Sequence, residues 1–116
     1  MTRLTSGVAA DAAHLPVPYE PVEVDKVISG KPLTRYVDLD ESAGRTVGIW
    51  EHTPGVSRDT EADEVFVVLA GDATIEFEHP SLPPIELRRG SVVRLEAGMQ
   101  TVWTVRETLR KVYVAP

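Results

Sequence analysis

The feature that most limits the fold is a pattern of punctuation. From residue 36 onward, short runs of β-branched and aromatic residues are interrupted, at intervals of roughly eight to twelve residues, by glycine, proline or acidic turns. No window sustains the 3.6-residue period of an amphipathic helix. The spacing predicts strands over 36–39, 46–53, 64–69, 73–78, 85–88, 91–95, 101–105 and 110–114. Short strands without helices to cover them must close their edges on one another, so the expected fold is an all-β barrel or jelly roll. Glycines in "DESAG", "AGD", "RRG" and "EAGM" read as turns where a side chain would be strained, and "EHPSLPP" reads as a stiff, exposed hairpin loop.

Residues 1–35 follow another rule. Pro16, Pro18, Pro21 and Pro32 deny this stretch long helices and central strands, which leaves an extended arm with one short strand over 22–27. Its later half has apolar area to bury, on the barrel or on a partner subunit. The expected organisation is an arm over 1–35 and a single barrel over 36–116.

The 116 residues suffice for one core. A net charge of −6 opposes binding to nucleic acid or to an anionic membrane, and neither is expected as a partner. Without cysteine there is no disulfide, thiolate metal site or thiol nucleophile. The longest apolar run, 65–70, is far too short to span a bilayer, and the N-terminus lacks the basic start and apolar stretch of a signal peptide. A cytoplasmic protein is the expectation.

Alternation assigns faces. Over 64–69, Glu64 shares a face with Phe66 and Val68, while Val65, Val67 and Leu69 form an equally apolar opposite face, as in a strand covered on both sides by a second layer, the arm or a second subunit. Together with the arm this points to a homodimer. Over 73–78, Ala73, Ile75 and Phe77 oppose Thr74, Glu76 and Glu78, so that strand meets water on one side.

The segments "IWEHTPG", "DEVFVVLAGD", "GMQTVWTV" and "RKVYV", within about 48–114, resemble the cupins, in particular small single-domain cupins similar to one half of ureidoglycine aminohydrolase. The resemblance implies a cupin (RmlC-like) double-stranded β-helix, or jelly-roll barrel. In the first cupin motif Glu64 and Gly71 match, while the paired histidine positions fall on Ser57 and Asp59, or on Arg58 and Thr60. In the second, Gly90 and Gly98 match, whereas Glu96, Thr101 and Val105 stand where proline, histidine and asparagine are usual. A cupin metal is held by three histidines and a glutamate. One carboxylate cannot fill that shell, so neither a transition metal nor another cofactor is expected.

The candidate ligand-binding residues are Glu64, Trp103, Lys111, Tyr113, His52, Trp50, Phe66 and Thr101. An inward Glu64 needs a partner to offset desolvation. Arg110 and Lys111 lie on opposite faces of the last strand, so one of them faces inward, and the resemblance favours Lys111 with Tyr113. Trp103 has two open readings, pocket wall or core filler, and its indole N–H needs an acceptor. His52 is either a proton-exchanging group in the pocket or a satisfied structural residue. His14 and His79 are expected in solvent. Asp59, Glu61 and Asp63 share a face and offer oxygen ligands to a hard cation, but a solvated, charge-rich turn is the preferred reading.

Three functions fit. One is a metal-free cupin that binds a small polar molecule. The second is an enzyme, resembling ureidoglycine aminohydrolase or a metal-independent isomerase, in which Glu64 or His52 moves a proton and Lys111 stabilises an anion. The third is an interaction module that kept the barrel alone.

Overall fold

The computed structural model describes residues 4–116. In chain order its elements are β1 (Glu20–Pro21), one turn of 3-10 helix (Val24–Lys26), β2 (Val27–Ser29), β3 (Leu33–Ser42), β4 (Arg45–His52), β5 (Gly55–Thr60), β6 (Glu64–His79), β7 (Ile85–Arg88), β8 (Val92–Leu95) and β9 (Gln100–Ala115). The result is all-β, a single curled sheet that closes as the barrel expected above. No helix is long and apolar enough to cross a membrane among the described residues.

Two pairs of expected strands are fused. The segments 64–69 and 73–78 are halves of β6, and 101–105 and 110–114 are halves of β9; these two strands pair antiparallel from Val65 with Val114 to His79 with Gln100. The glycine of "AGD" does not make a turn. It sits in a bulged bend, where the register of β6 slips at 68/70, 70/72 and 72/73. The bulge also flips parity: Phe66 and Val68 face the core before it, Ala73 and Ile75 after it. The front half of β6 pairs with β8 and the end of β9, which continues through β4 to β3; its rear half pairs with β7 and the start of β9, which continues through β5 to β2. Phe66, Val68, Ala73, Ile75, Leu87, Leu95, Trp103, Val105 and Leu109 fill the space between.

Strand β5 was not expected, because "GVSRDT" shows no apolar alternation. It forms by pairing with β9, from Gly55 opposite Val105 to Thr60 opposite Gln100. Its inward residues are polar because they line a cavity and not the core.

The arm supplies β1 and β2 on either side of the 3-10 turn, in place of the one strand expected over 22–27. Before β1 it crosses the outside of the barrel, burying Val17. Arg110 there donates to the carbonyls of Ala12 (2.8 Å) and Leu15 and to Glu51 (2.7 Å), while Arg35 donates to the Val17 carbonyl (2.7 Å) and to Glu51 (2.5 Å). Tyr19 donates its hydroxyl proton to the same carboxylate. Burial alone would raise the pKa of Glu51, but the hydrogen bonds from Tyr19, Arg110 and Arg35 hold it below the usual carboxylate range. Arg110 and Lys111 are therefore both buried, on opposite faces of β9.

The outer face of the front half of β6 is not covered by a second layer or by the described part of the arm. Val65 and Val67 remain exposed, as do their cross-strand neighbours Val114 and Val92.

Candidate functional site

The inward positions of β4, β5, β6 and β9 converge on a cavity of about 510 Å³, within the usual range for small-molecule sites. Trp50, His52, Ser57, Asp59, Glu64, Trp103, Lys111 and Tyr113 line it, and 20–23 with Lys26 from the arm form part of its rim. Of the predicted residues, Phe66 and Thr101 are fully buried just behind this lining.

Lys111 lies at the centre of the arrangement. Its register on β9, opposite Trp50 of β4 and Val68 of β6, turns its side chain inward, and the residue is only 4% exposed. The Nζ atom donates to both oxygens of Glu64, at 3.1 and 3.4 Å. It also sits 4.2 Å from the ring centre of Phe66, 4.6 Å from Trp50 and 4.9 Å from Trp103, within cation–π range of all three. Desolvation pushes the lysine pKa down, against the pull of Glu64, Glu61 and Asp59.

Glu61 corrects the expectation of a solvated acidic turn. Strand β5 ends at Thr60, and the next residue folds inward to 7% exposure. Its Oε2 accepts the Thr101 hydroxyl (2.6 Å) and the Trp103 indole N–H (3.0 Å), which also reaches Thr101 Oγ1 (3.0 Å). Burial raises the Glu61 pKa despite these donors. Trp103 thus does both things foreseen for it, packing in the core and walling the cavity. Asp63 behaves differently and caps the loop before β9 by accepting the Ala97 N–H (2.9 Å).

Tyr113 donates to Asp38 Oδ1 (2.7 Å) across β4, and burial together with that hydrogen bond raises its pKa. The passage beneath it exists because residue 48 is glycine: a Cβ there would overlap the Tyr113 phenol and come within 2.7 Å of the Val37 carbonyl. Asp38 was missed from sequence, and Glu61 was read there only as part of a solvated acidic turn. Neither carries a motif, and each is identified only by the donor folded against it.

His52 is 1% exposed. Its Nδ1 lies 2.6 Å from the Thr53 carbonyl, which can only accept, so Nδ1 carries the proton and Nε2 accepts from the Ser57 hydroxyl at 2.9 Å. Burial lowers its pKa below the ordinary value of about 6.5. Because the folded value is the lower one, the unfolded chain binds the extra proton first as pH falls, and stability declines below about pH 6.5 by at most about 1.4 kcal/mol per pH unit. Urea titrations between pH 7.5 and 5.5 should show this slope in the parent and its loss in His52→Gln. Equal slopes would mean that His52 binds its proton equally well in the folded and unfolded chain.

Ser57 and Asp59 occupy the inward positions of β5, opposite Trp103 and Thr101, whereas Arg58 and Thr60 face out. Among the described residues, no group of three or more His, Cys, Asp or Glu side chains is arranged to hold a metal ion.

A family model described as the EutQ-like cupin domain matches residues 39–113. Among solved structures, a protein of unknown function from Pseudomonas syringae superposes with a TM-score of 0.74 at 21% identity, covering 90% of this chain and 46% of that one, so the chain spans about half of its length. The EutQ protein of Clostridium difficile gives a TM-score of 0.63 at 20% identity, covering 83% of this chain and 79% of that one. A putative ethanolamine utilization protein from Salmonella typhimurium gives 0.62 at 19% identity, covering 88% and 96%. No curated protein matches the chain.

Proposed function

The chain belongs to the EutQ-like cupin domain family, and from that premise we propose that it binds a small polar molecule in the barrel without the help of a transition metal. The observation that carries this reading is the Lys111–Glu64 pair beneath Trp50, Phe66 and Trp103, at the inner end of a cavity large enough for a ligand. An ion pair among aromatic rings gives a ligand one strong donor and one strong acceptor in a dry setting, where hydrogen bonds discriminate well.

The donor set does not fit a metal ion. Glu64, which matches the glutamate of the cupin motif, is already engaged by an ammonium whose charge would repel a cation. The other positions at which cupins carry histidines hold Ser57, Asp59 and Thr101, and the Thr101 hydroxyl is given to Glu61.

Around the cavity and its rim, Glu20, Glu23, Asp59, Glu61 and Glu64 outnumber Lys26 and Lys111, which disfavours an anionic ligand. Uncharged molecules that both donate and accept fit best. In thermal-shift assays a panel of small amides, ureides and carboxylates should separate accordingly: an amide or ureide at a hundredfold its Kd raises Tm by on the order of 10 °C, and the carboxylates leave it unmoved. A panel without any shift would remove this reading and favour a module that uses only the outside of the barrel.

A further inference from the structure

We propose that Lys111 forms a Schiff base, condensing with a small uncharged aldehyde or ketone in the cavity while Glu64 carries the protons. This rests on the binding reading above and adds the chemical class of the ligand. Among the described residues Glu64 is the only hydrogen-bond acceptor of the Lys111 ammonium, and the neutral amine left by deprotonation keeps two N–H groups with which to hold it. Three ring faces surround the nitrogen and exclude water from it, which lowers its affinity for a proton and leaves more of it as the nucleophilic free amine. Both carboxylate oxygens lie within reach of that nitrogen, as a proton shuttle requires.

The steps balance without a further reagent. Glu64 accepts a proton from the ammonium. The nitrogen lone pair then attacks the carbonyl carbon, the C–N bond forms as the C=O π pair moves to oxygen, and Glu64 returns the proton to that oxygen. The new nitrogen centre passes one N–H proton to Glu64. As the nitrogen lone pair closes the C=N bond, the C–O bond breaks and the hydroxyl leaves as water with that proton. The product is a protonated imine, whose positive charge faces the Glu64 carboxylate as the ammonium did. The wall of rings suits a planar C=N group and keeps hydrolytic water away.

The chain has only three lysines, Lys26, Lys31 and Lys111, so the reaction can be read residue by residue. The full chain is treated near neutral pH with glycolaldehyde and sodium cyanoborohydride, and labelling is followed by peptide mass spectrometry. The expected result is reduced adduct at Lys111 at least tenfold faster than at the exposed Lys31, none at position 111 in Lys111→Arg, and a roughly 10²-fold slower Lys111 reaction in Glu64→Gln with Lys31 unchanged. Labelling of Lys31 as fast as Lys111 in the unmodified chain overturns the proposal, and this comparison needs no variant to fold. A panel molecule that raises Tm while glycolaldehyde leaves Lys111 unlabelled also overturns it, with the binding reading intact. Failure of both assays removes both.

Discussion

Glu64→Gln is expected to lower the free energy of unfolding by about 3 kcal/mol, because it strands a buried ammonium without its counter-charge. Lys111→Met should cost clearly less. The two ends of the pair differ in their access to water: the lysine side chain is 5% exposed, but that of Glu64 is 16% exposed and lies nearer the rim, where a lone carboxylate can be hydrated. A methionine at position 111 would also fill the ring-lined space with an unstrained apolar chain. The double variant Glu64→Gln/Lys111→Met removes both charges and should equal the parent or exceed it by up to about 4 kcal/mol, as happens when buried ion pairs are replaced by apolar groups. Urea denaturation of the four proteins closes the cycle. If Lys111→Met were the worst of the set, the lysine would be holding the fold together and not the site. A stable double variant that has lost the thermal response to ligands would show that the pair is kept for binding, at a cost in stability.

Gly71→Ala should be more damaging still, at about 4 kcal/mol, from the sum of backbone strain and overpacking. The residue has φ of +106°, a region that L side chains rarely adopt. An added Cβ would also strike backbone and not a movable side chain: the Thr108 carbonyl oxygen, and the Leu109 Cα at 2.6 Å. Either the bend in β6 or the facing part of β9 has to open. The same bend holds Glu64 and Phe66 of one strand against Lys111 and Trp103 of the other, so ligand response should be lost together with stability. A variant within 1 kcal/mol of the parent in urea would show that the bulge can relax, and that the bend does not hold the site together.

Alternation grouped the residues of β6 and β9 by face before any coordinates, because a period of two leaves a strand only two choices of inward side. Choosing between them took the resemblance to cupins, which matched Glu64, and with it the face of Phe66 and Val68, to a motif position and favoured Lys111 with Tyr113 over Arg110 on the last strand. The same logic failed where the backbone slips: the "AGD" glycine looks identical in a turn and in a bulge, since both need positive φ and neither leaves a mark on alternation. It also failed at "SRDTEADE", where a dense run of charge resembles a solvated surface although Glu61 is taken out of water by two donors that are distant in sequence.

What the chain determined by itself, through side-chain alternation and the placement of glycine and proline, was an all-β barrel and which neighbouring residues share a face within each short strand. These are local properties, set by the backbone of each segment and the two sides it can present. Only the tertiary structure decided which charges are dry. The fusion of β6 and β9, the inward turn of Glu61, the arm fastened by Arg110 and Glu51, and the aromatic enclosure of Lys111 all depend on which distant segment excludes water from a given group. That exclusion is a property of the packed whole, so no local pattern could carry it.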